Sequence, residues 1–377
     1  MIKKKKVAIV RGKFLNQYEM QSFEPLASKF DITAFGSLSS FHDTFAFPTV
    51  KLPSPMDLLD FPYKMPILNR AFIDAQYLLG LENHLEGFDI VHTAETYYHY
   101  TQQSLNARKR GNVKKVIATV LENIAHNNEG IWGRKKFKKS ARDGLDHIIA
   151  LTNRTKEALL LEGAKDDKIT VVSHGINTSR FIPSARKSTN RLTILFVGRL
   201  EVYKGIYEVI YAFKRLLEDK DLRAYSLTLL VVGNGSEKKE LLQREKELKI
   251  SRYVTHLDVT YADIPDVYKK ADIFVAPSKE SQYWIAQYNT SLLEAQAAGL
   301  SIVTTYSGGI PENVGNTAVL VSPGDVLSLK KELKEFILYP QKRKTYGSNA
   351  RKRALEVHDV KIISKQISKV YEQVLTE

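Results

Sequence analysis

The stretch that decides the fold is residues 272–312, DIFVAPSKESQYWIAQYNTSLLEAQAAGLSIVTTYSGGIPE. It runs from an apolar strand pattern (272–277), through a helical run ending in LLEAQAAG, to a β-branched strand pattern (301–305). This strand–helix–strand order predicts neighbouring strands of a parallel sheet. The helical run contains a carboxylate, Glu294, and begins near the carboxyl-terminal edge of the first strand. Ligands of open α/β sheets bind at that edge, and the free N–H groups of a helix start suit a phosphate.

The same alternation of strands and amphipathic runs extends over the rest of the chain. Helices are predicted, among others, at 19–30, 155–164, 207–219 and 236–249. A polar stretch at 183–190 separates two sets of strands and indicates a linker. The length of 377 residues suits two domains. We therefore predict domains at 1–185 and 186–357, with a C-terminal helix at about 358–377. The predicted strands are 7–10, 31–35, 89–93, 115–120, 147–151, 169–173, 192–198, 227–233, 254–259, 272–277, 301–305 and 318–322.

Four motifs carry a resemblance to a known family. They are SHGINTSRFIP (173–183), FVGRLEVYKG (196–205), VVGNGSEKKEL (231–241) and YWIAQYNTSLLEA (283–295). Together they resemble the retaining glycosyltransferases of family 4, also called group 1, over nearly the whole chain. The resemblance implies the α/β GT-B fold: two tandem Rossmann-like domains, an interdomain cleft, and a C-terminal helix that returns to the first domain.

By this resemblance, the second domain binds the nucleotide diphosphate of a UDP- or GDP-linked sugar. Arg199 and Lys204 would hold the diphosphate, where an arginine can form a forked contact and a lysine acts as a point charge. Glu294 would accept hydrogen bonds from both ribose hydroxyls, since a carboxylate has the acceptor capacity for two donors. No cofactor is implied beyond this donor substrate. The other positions that the resemblance places at the donor are Gly12, Gly198, Gln287, Tyr288, Asn289 and Thr290.

Ala286 departs from the family pattern, because it stands where relatives have the first of two helix glutamates. Trp284, Gln287 and Tyr288 match the family on both sides of it. The alanine reflects either a natural loss or a deliberate glutamate-to-alanine variant made to hold a substrate, and the intact flanks favour the variant. Glu280 is predicted to lie across a loop and not to replace it. With the carboxylate missing, nucleotide binding is expected to persist while turnover falls.

The first domain is expected to bind the acceptor. By resemblance, His92 at a predicted strand end would face the transferred sugar and assist catalysis. Tyr97 and Tyr98 offer aromatic rings for an acceptor sugar, although packing inside the domain explains them equally well. The acceptor is expected to be a glycan or a lipid-linked molecule, as in polysaccharide biosynthesis.

The formal net charge of +14 is concentrated locally. Residues 101–142 hold 11 basic and 2 acidic side chains, including the run at 134–142. Two interpretations stay open: a solvated helix face, or a surface for anionic lipid, at about 1 kcal/mol per basic residue. The second predicts peripheral association with the inner face of the membrane. The residues proposed for it are Trp132, Arg134, Lys135, Lys136, Lys138 and Lys139.

The predicted function is transfer of a hexosyl unit from a nucleotide sugar, with retention and without a metal. The only D-x-D triplet, at 219–221, ends a predicted helix, which disfavours metal-dependent sugar transfer. The chain has no cysteine, which fits a cytoplasmic location, and it shows no nucleic-acid module. A non-catalytic sugar-nucleotide sensor and a nucleotide-sugar epimerase of the same fold remain the alternatives.

Overall fold

The computed structural model describes residues 3–184 and 190–376, so most of the predicted linker lies outside the described residues. The chain divides into two compact units. Unit 1 consists of Met1–Gly175 and Val360–Glu377, and unit 2 of Ile176–Asp359. Unit 2 begins before the predicted boundary at residue 185, because the Ile176 N–H donates to the His358 carbonyl (2.7 Å) and Phe181 is buried in the core of unit 2.

Unit 1 is built on a seven-stranded sheet in the order β3-β2-β1-β4-β5-β6-β7, with every neighbouring pair parallel. Parallel strands need crossovers, which the intervening helices supply. The strands are β1 (Lys6–Gly12), β2 (Asp31–Ser37), β3 (Thr49–Leu52), β4 (Phe88–Ala94), β5 (Val113–Val120), β6 (His147–Ala150) and β7 (Ile169–Val171). The α-helices before the second sheet are α1 (Gln17–Met20), α2 (Lys64–Phe72), α3 (Leu81–His84), α4 (His99–Lys109), α5 (Arg134–Gly144) and α6 (Asn153–Leu161).

Unit 2 is built on a six-stranded parallel sheet in the order β10-β9-β8-β11-β12-β13. Its strands are β8 (Arg191–Val197), β9 (Ser226–Val232), β10 (Val254–Leu257), β11 (Ile273–Ala276), β12 (Ser301–Thr305) and β13 (Val319–Val321). Its helices are α7 (Ile206–Leu217), α8 (Lys238–Glu247), α9 (Ile264–Lys269), α10 (Thr290–Ala297), α11 (Ile310–Val314), α12 (Val326–Leu338) and α13 (Pro340–Arg353), which a π-helical turn (Ala354–His358) extends. Apolar clusters lie on both faces of the sheet, as expected for strands buried on both sides.

The last helix, α14 (Val360–Thr376), belongs to unit 1. Its apolar face, from Ile363 to Val374, packs in the same cluster as Val7 and Ile9 of β1. The predicted return of the C-terminal helix to the first domain is therefore confirmed. Within the described residues, no helix combines the length and the apolar character needed to cross a membrane.

All twelve predicted strands are present, but two other features differ from expectation. The helix predicted at 19–30 is interrupted: α1 ends at Met20, and a short 3-10 helix, Glu24–Ser28, follows. Pro25 in that turn has no N–H to donate and so cannot continue an α-helix. The sequence also missed β3, an edge strand of four residues with little apolar pattern.

Candidate functional site

The candidate site lies at the carboxyl-terminal edge of the unit 2 sheet. There β8 lies between β9 and β11. The strands that follow β8 in the chain, β9 and β10, lie on one side of it, and the later strands β11 to β13 lie on the other, so the strand order reverses at β8. This reversal is the switch point at which open α/β sheets bind ligands. The loop after β8 carries Arg199 and Lys204, and the loop after β11 carries residues 277–289. The structure therefore brings the predicted donor residues of unit 2 to one edge.

Two cations at this edge, Arg199 and Lys204, form no ion pair among the described residues. Hydrogen bonds, and to a smaller extent the charge of Arg199, lower the pKa of the nearby Glu201. Arg199 is exposed, and its guanidinium lies 5.4 Å from the Tyr203 ring centroid. The Lys204 Nζ lies 5.0 Å from the Trp284 ring centroid and 5.7 Å from that of Tyr203. Burial, followed by the nearby Arg199, lowers the pKa of Lys204 to about 8. Positive charge that no ion pair neutralises is a binding determinant for an anion.

The two aromatic rings that flank Lys204 come from different loops. Tyr203 and Trp284 have ring centroids 4.3 Å apart, with a tilt of 42°. The Lys279 N–H donates to the Tyr203 carbonyl (2.9 Å) and so joins the backbones of the two loops. The aromatic pair and this hydrogen bond together restrict the position of Lys204. Trp284 was singled out in the sequence as a family match, whereas Tyr203 was missed, although its place beside Lys204 was a usable signal.

Gly205 and Gly233 permit the close packing of these loops. Gly205 has φ +75°, and a Cβ there would lie 1.9 Å from the Pro277 carbonyl oxygen. Gly233 has φ +135°, and its Cβ would lie 2.0 Å from the Gly198 carbonyl oxygen. Any larger residue at either position would separate the loop backbones. Gly233 of the VVGNG motif therefore has a structural role.

Ala286 is not on a helix, contrary to the sequence prediction. Residues 285–289 are irregular, and α10 begins at Thr290. The Ala286 side chain is buried, and its carbonyl accepts the Gly309 N–H (2.8 Å). Gly308 has φ +51°, and a Cβ there would lie 1.9 Å from that same carbonyl oxygen. The alanine is therefore covered by the 308–309 loop.

Helix α10 presents its first N–H groups at the same edge. Asn289 is the N-cap residue, but no side chain of the described residues caps the helix, and the Asn289 Oδ1 accepts from the Ser291 hydroxyl instead (2.8 Å). Thr290 is the first helical residue. Uncapped N–H groups at a helix start favour an anion. Tyr288 does not reach this helix start with its side chain, since its hydroxyl lies 3.2 Å from the His358 Nδ1.

Glu294 is a buried acid with one hydrogen-bond donor within the described part of the chain. The Tyr268 hydroxyl donates to its Oε2 (2.7 Å). Burial raises the pKa of Glu294 to about 7, against the opposing effects of this hydrogen bond and of Arg180. The apolar neighbours of Glu294 in the sequence, LL before it and AQAAG after it, explain the burial, but no sequence signal identified Tyr268. The second oxygen keeps acceptor capacity for a ligand hydroxyl.

In unit 1, the structure contradicts the predicted role of His92. The residue is fully buried on β4. Its Nδ1 lies 2.7 Å from the Tyr371 hydroxyl, and its Nε2 lies 2.7 Å from the Thr119 hydroxyl. Burial lowers the pKa of His92 well below its usual value. Both ring nitrogens are thus engaged inside unit 1, and His92 is a satisfied core residue rather than a sugar-facing group.

Other predicted residues of unit 1 lie at the carboxyl-terminal edge of its sheet. Gly12 ends β1 with φ +53°, and a Cβ there would lie 2.5 Å from the Gln76 Oε1. Tyr97 and Tyr98 follow β4 with ring centroids 4.9 Å apart. Burial, together with the adjacent acid Glu95, raises the pKa of both tyrosines well above the usual value. The tyrosines are half-buried, so both packing and ligand contact remain compatible with their position.

The basic run of α5 does not form one charged face. Arg134 is buried and pairs with Asp74 (2.6 Å), and its guanidinium lies 5.0 Å from the Tyr97 ring centroid. Lys138 is also buried and pairs with Glu162. The prediction that both residues contact a membrane is therefore wrong. Three lysines of the run remain exposed, together with the indole of the preceding tryptophan: Lys135, Lys136, Lys139 and Trp132.

The D-x-D triplet is occupied by ion pairs within unit 2. Asp219 follows the end of α7 and pairs with Lys330 and, at 3.0 Å, with Lys334. The hydrogen bond from Lys330 is the main cause that lowers the pKa of Asp219 to about 2. Asp221 pairs with Lys334 as well. These carboxylates stabilise a helix connection and lie away from the Arg199 loop.

Two family descriptions match the chain. "Glycosyl transferases group 1" matches residues 177–353, and "Glycosyltransferase Family 4" matches residues 42–180. Among curated proteins, glycogen synthase of Mycobacterium tuberculosis is 30% identical over 210 residues, 54% of this chain and 48% of the relative. The capsular polysaccharide biosynthesis glycosyltransferase CapM of Staphylococcus aureus is 26% identical over 246 residues, 61% and 62% of the two chains. The chain spans about half the length of the first relative.

Solved structures share the fold over the full chain. Sucrose-phosphate synthase of Thermosynechococcus elongatus has a TM-score of 0.78 at 19% identity and covers 99% of this chain and 100% of its own. Anabaena Alr3699/HepE in complex with UDP-glucose has a TM-score of 0.74 at 17% identity, with 98% and 99% covered. At these identities the likeness shows the fold alone.

Proposed function

Because the chain belongs to the group 1 glycosyl transferases of family 4, with the GT-B fold, we propose that it transfers a hexosyl unit from a nucleotide diphosphate sugar. The donor would be UDP- or GDP-linked, and the acceptor would be a glycan or a lipid-linked molecule, as in polysaccharide biosynthesis. The reaction would proceed with retention of anomeric configuration and without a metal.

The observation that carries this proposal is the pair of cations at the switch point. Arg199 and Lys204 form no ion pair with an acid within residues 190–376, and the uncapped start of α10 lies at the same sheet edge. The leaving group of the proposed reaction is a nucleoside diphosphate, whose negative charge grows as the glycosidic bond breaks. Preorganised cations and N–H groups stabilise that charge. They would supply the stabilisation that a divalent metal provides in metal-dependent sugar transfer.

The donor nucleoside would be recognised by Glu294. Its carboxylate lies in the helix that starts at the proposed phosphate position, and Tyr268 holds one of its oxygens. The free acceptor capacity suits the two ribose hydroxyls, which are present in both UDP and GDP donors.

The stereochemistry tests the reaction class. We would incubate the protein with UDP-glucose or GDP-mannose and a glycan acceptor, and assign the product anomer by NMR. An α-linked product from these α-linked donors supports retention, and a β-linked product rejects it. Incubation of each donor alone tests the epimerase alternative, because an epimerase converts the donor without an acceptor. Retention of activity after EDTA treatment is expected, and a complete loss restored by Mg²⁺ would reject metal independence.

A sugar-nucleotide sensor is the second candidate, and Ala286 is the observation that favours it. Ala286 leaves a small, buried side chain at the position where the sequence resemblance implies a glutamate. A sensor would bind the donor with normal affinity and show no turnover with any acceptor.

We also propose peripheral association with an anionic membrane, at the cytoplasmic face. The proposed surface leaves out the buried Arg134 and Lys138 and includes exposed apolar residues near α2. Seven exposed residues, here called the apolar strip, lie on or before α2 and beside the start of α5. Arg70 on α2 lies 5.2 Å from the Trp132 ring centroid, which places the two elements together. Exposed basic side chains at Arg70, Lys135 and Lys136 adjoin the strip. The strip consists of Leu58, Leu59, Phe61, Tyr63, Met65, Ile67 and Trp132.

The occupant proposed for this strip is a bilayer surface, because large apolar side chains beside lysines match the acyl boundary and the anionic headgroups. Sedimentation with vesicles containing anionic lipid should fall sharply for a Leu59→Ser/Trp132→Ala variant, and for a Lys135→Ala/Lys136→Ala variant. The control is Leu161→Ser, at another highly exposed leucine, on α6. Equal sedimentation of all variants would reject the surface, and sedimentation with neutral vesicles alone would reject the role of charge.

A further inference from the structure

The loop between β11 and α10 places Glu280 within the candidate site. On one side, the Lys279 N–H is bonded to the Tyr203 carbonyl (2.9 Å). On the other, the Ser281 N–H donates to the Trp284 carbonyl (2.8 Å), which closes a tight turn. Both Tyr203 and Trp284 flank Lys204. Hydrogen bonds of the residues before and after Glu280 therefore hold its backbone against Tyr203 and Trp284, the two residues that flank Lys204.

The Glu280 carboxylate and the Ala286 backbone bind neighbouring N–H groups of one loop. The Glu280 Oε1 accepts from the Gly308 N–H (3.0 Å), and the Ala286 carbonyl accepts from the Gly309 N–H (2.8 Å). The two residues are thus adjacent in space although six positions separate them in the sequence. The prediction that Glu280 cannot replace the missing carboxylate assumed a helix at 286, and no helix is present there.

The Glu280 carboxylate retains most of its binding capacity. A carboxylate offers about four acceptor directions, and the Gly308 N–H uses one of them. The side chain is exposed, and no cation among the described residues pairs with it. Ala286, in contrast, is buried and has no polar side-chain atom. An accessible carboxylate anchored by a backbone N–H is suited to accept hydrogen bonds from vicinal hydroxyl groups.

We propose that Glu280 supplies the carboxylate that binds hydroxyl groups of the transferred sugar, in place of the side chain absent at position 286. The inference rests on the proposed function, because it assigns the sugar part of the same donor site. It makes Ala286 a natural feature of an active enzyme rather than an inactivating change. Glu280 would contact the sugar, while Arg199, Lys204 and Glu294 would hold the nucleotide.

The alternative is that Glu280 only fastens the 308–309 loop. Two variants separate these roles. Glu280→Gln keeps an oxygen that can accept the Gly308 N–H but removes the charge, whereas Glu280→Ala removes both. A purely structural role would be preserved in Glu280→Gln. A role in sugar binding would be weakened in both variants, because hydrogen bonds to a charged acceptor are stronger than those to a neutral one.

Calorimetric titration with UDP and UDP-glucose, and with GDP and GDP-mannose, tests the proposal. For the nucleotide pair that the unchanged protein binds, Glu280→Ala should lose about tenfold or more in affinity for the nucleotide sugar. Its affinity for the nucleoside diphosphate should stay within about twofold, since the lost hydrogen bonds are made only to the sugar. Glu280→Gln should show the same selective loss.

Other results would overturn the inference. Equal losses for the nucleotide and the nucleotide sugar would show that Glu280 acts on the loop alone, as would full rescue by Glu280→Gln. No change in either affinity would remove Glu280 from the site. If the unchanged protein binds none of the four ligands, the proposed function itself fails, and this inference with it. Thermal unfolding of each variant separates these results from loss of the fold.

Discussion

At the scale of single residues, the burial of Lys204 affects its protonation and thereby the binding of the donor diphosphate. Its ammonium group is largely enclosed between Tyr203 and Trp284 and has a second cation, Arg199, nearby. Both effects favour the neutral amine and lower the pKa to about 8. A bound diphosphate reverses this balance, because it interacts favourably only with the charged form. Donor binding and protonation of Lys204 are therefore coupled.

This coupling predicts a pH dependence. As the pH rises through about 8, the free protein loses the Lys204 proton, and its affinity for UDP-glucose or GDP-mannose should fall. The diphosphate diester of these donors does not titrate in that range. In Lys204→Arg the side chain stays charged, so the affinity should be nearly constant from pH 8 to pH 9, where Glu294 is already ionised. Calorimetry at three pH values checks this, and parallel curves for the two proteins would contradict it.

Glu294 predicts a pH dependence of stability. Its pKa is raised from 4.5 to about 7 on folding, so the unfolded state ionises first as the pH rises. The protein should therefore lose stability between pH 4.5 and pH 7, by roughly 3 kcal/mol. Glu294→Gln should lack this loss while binding nucleotide more weakly. Urea unfolding at pH 5 and pH 8 measures it, and an identical change with pH in both proteins would show that Glu294 is not the cause.

The effect of Ala286→Glu on the transfer rate distinguishes an inactivated variant from a natural enzyme. If Glu280 provides the carboxylate, Ala286→Glu should change the transfer rate by less than about threefold in the unchanged chain, and should restore activity in the Glu280→Ala protein. An inactivated variant would instead gain on the order of 10²-fold from Ala286→Glu alone. Transfer assays on the three proteins decide between these outcomes, with thermal unfolding to detect damage from a buried carboxylate.

At the scale of elements, the basic run of α5 has some side chains buried in unit 1 and others exposed to solvent. Lys138 points inward, where Glu162 and the Asn127 carbonyl (3.1 Å) accept from its ammonium group. Lys135 and Lys136 point to solvent. Arg134 and Lys138 are four residues apart and share the buried face of the helix, whereas Lys136, two residues from Lys138, lies on the opposite side. Charge alone therefore did not reveal that half of the run holds unit 1 together.

The buried pair predicts a large effect on stability. Lys138→Ala leaves the Glu162 carboxylate enclosed with one fewer partner, and should lower the free energy of unfolding by about 3 kcal/mol or more. Lys135→Ala, on the exposed side of the same helix, should change it by less than about 0.5 kcal/mol. Urea titration of both variants is the measurement. Equal stabilities would mean that Lys138 is solvated in solution.

Regular elements were predictable where the apolar pattern was strong. Every predicted strand forms, because runs such as LTLLVV are buried on both faces of a parallel sheet. The 285–289 segment was misread as helix because its residues have no strong breaker, and the hydrogen bond from Gly309 to Ala286 holds it in an irregular form. That contact depends on a loop more than twenty residues later, which local propensity does not describe.

At the scale of the whole molecule, the two units differ in how far the sequence revealed their sites. The unit 2 site is formed by short motifs that each end a strand, so parallel topology alone brings them to one edge. The unit 1 prediction failed at His92 because its partner Tyr371 lies 279 positions away, on α14. A histidine at a strand end can face either side of the sheet, and only the tertiary packing shows which.

Nucleotide binding is the most direct test of the central claim, that Arg199 and Lys204 form the site for the donor diphosphate. Calorimetric titration with UDP and with GDP should show binding by the unchanged protein. The Arg199→Ala/Lys204→Ala variant should lose about 100-fold or more in affinity, since two charge-assisted contacts are removed. The control is Lys220→Ala/Arg223→Ala, which removes the same charge between α7 and β9, at exposed positions before the sheet strand begins. The control should bind normally; equal affinities for the two double variants would contradict the site.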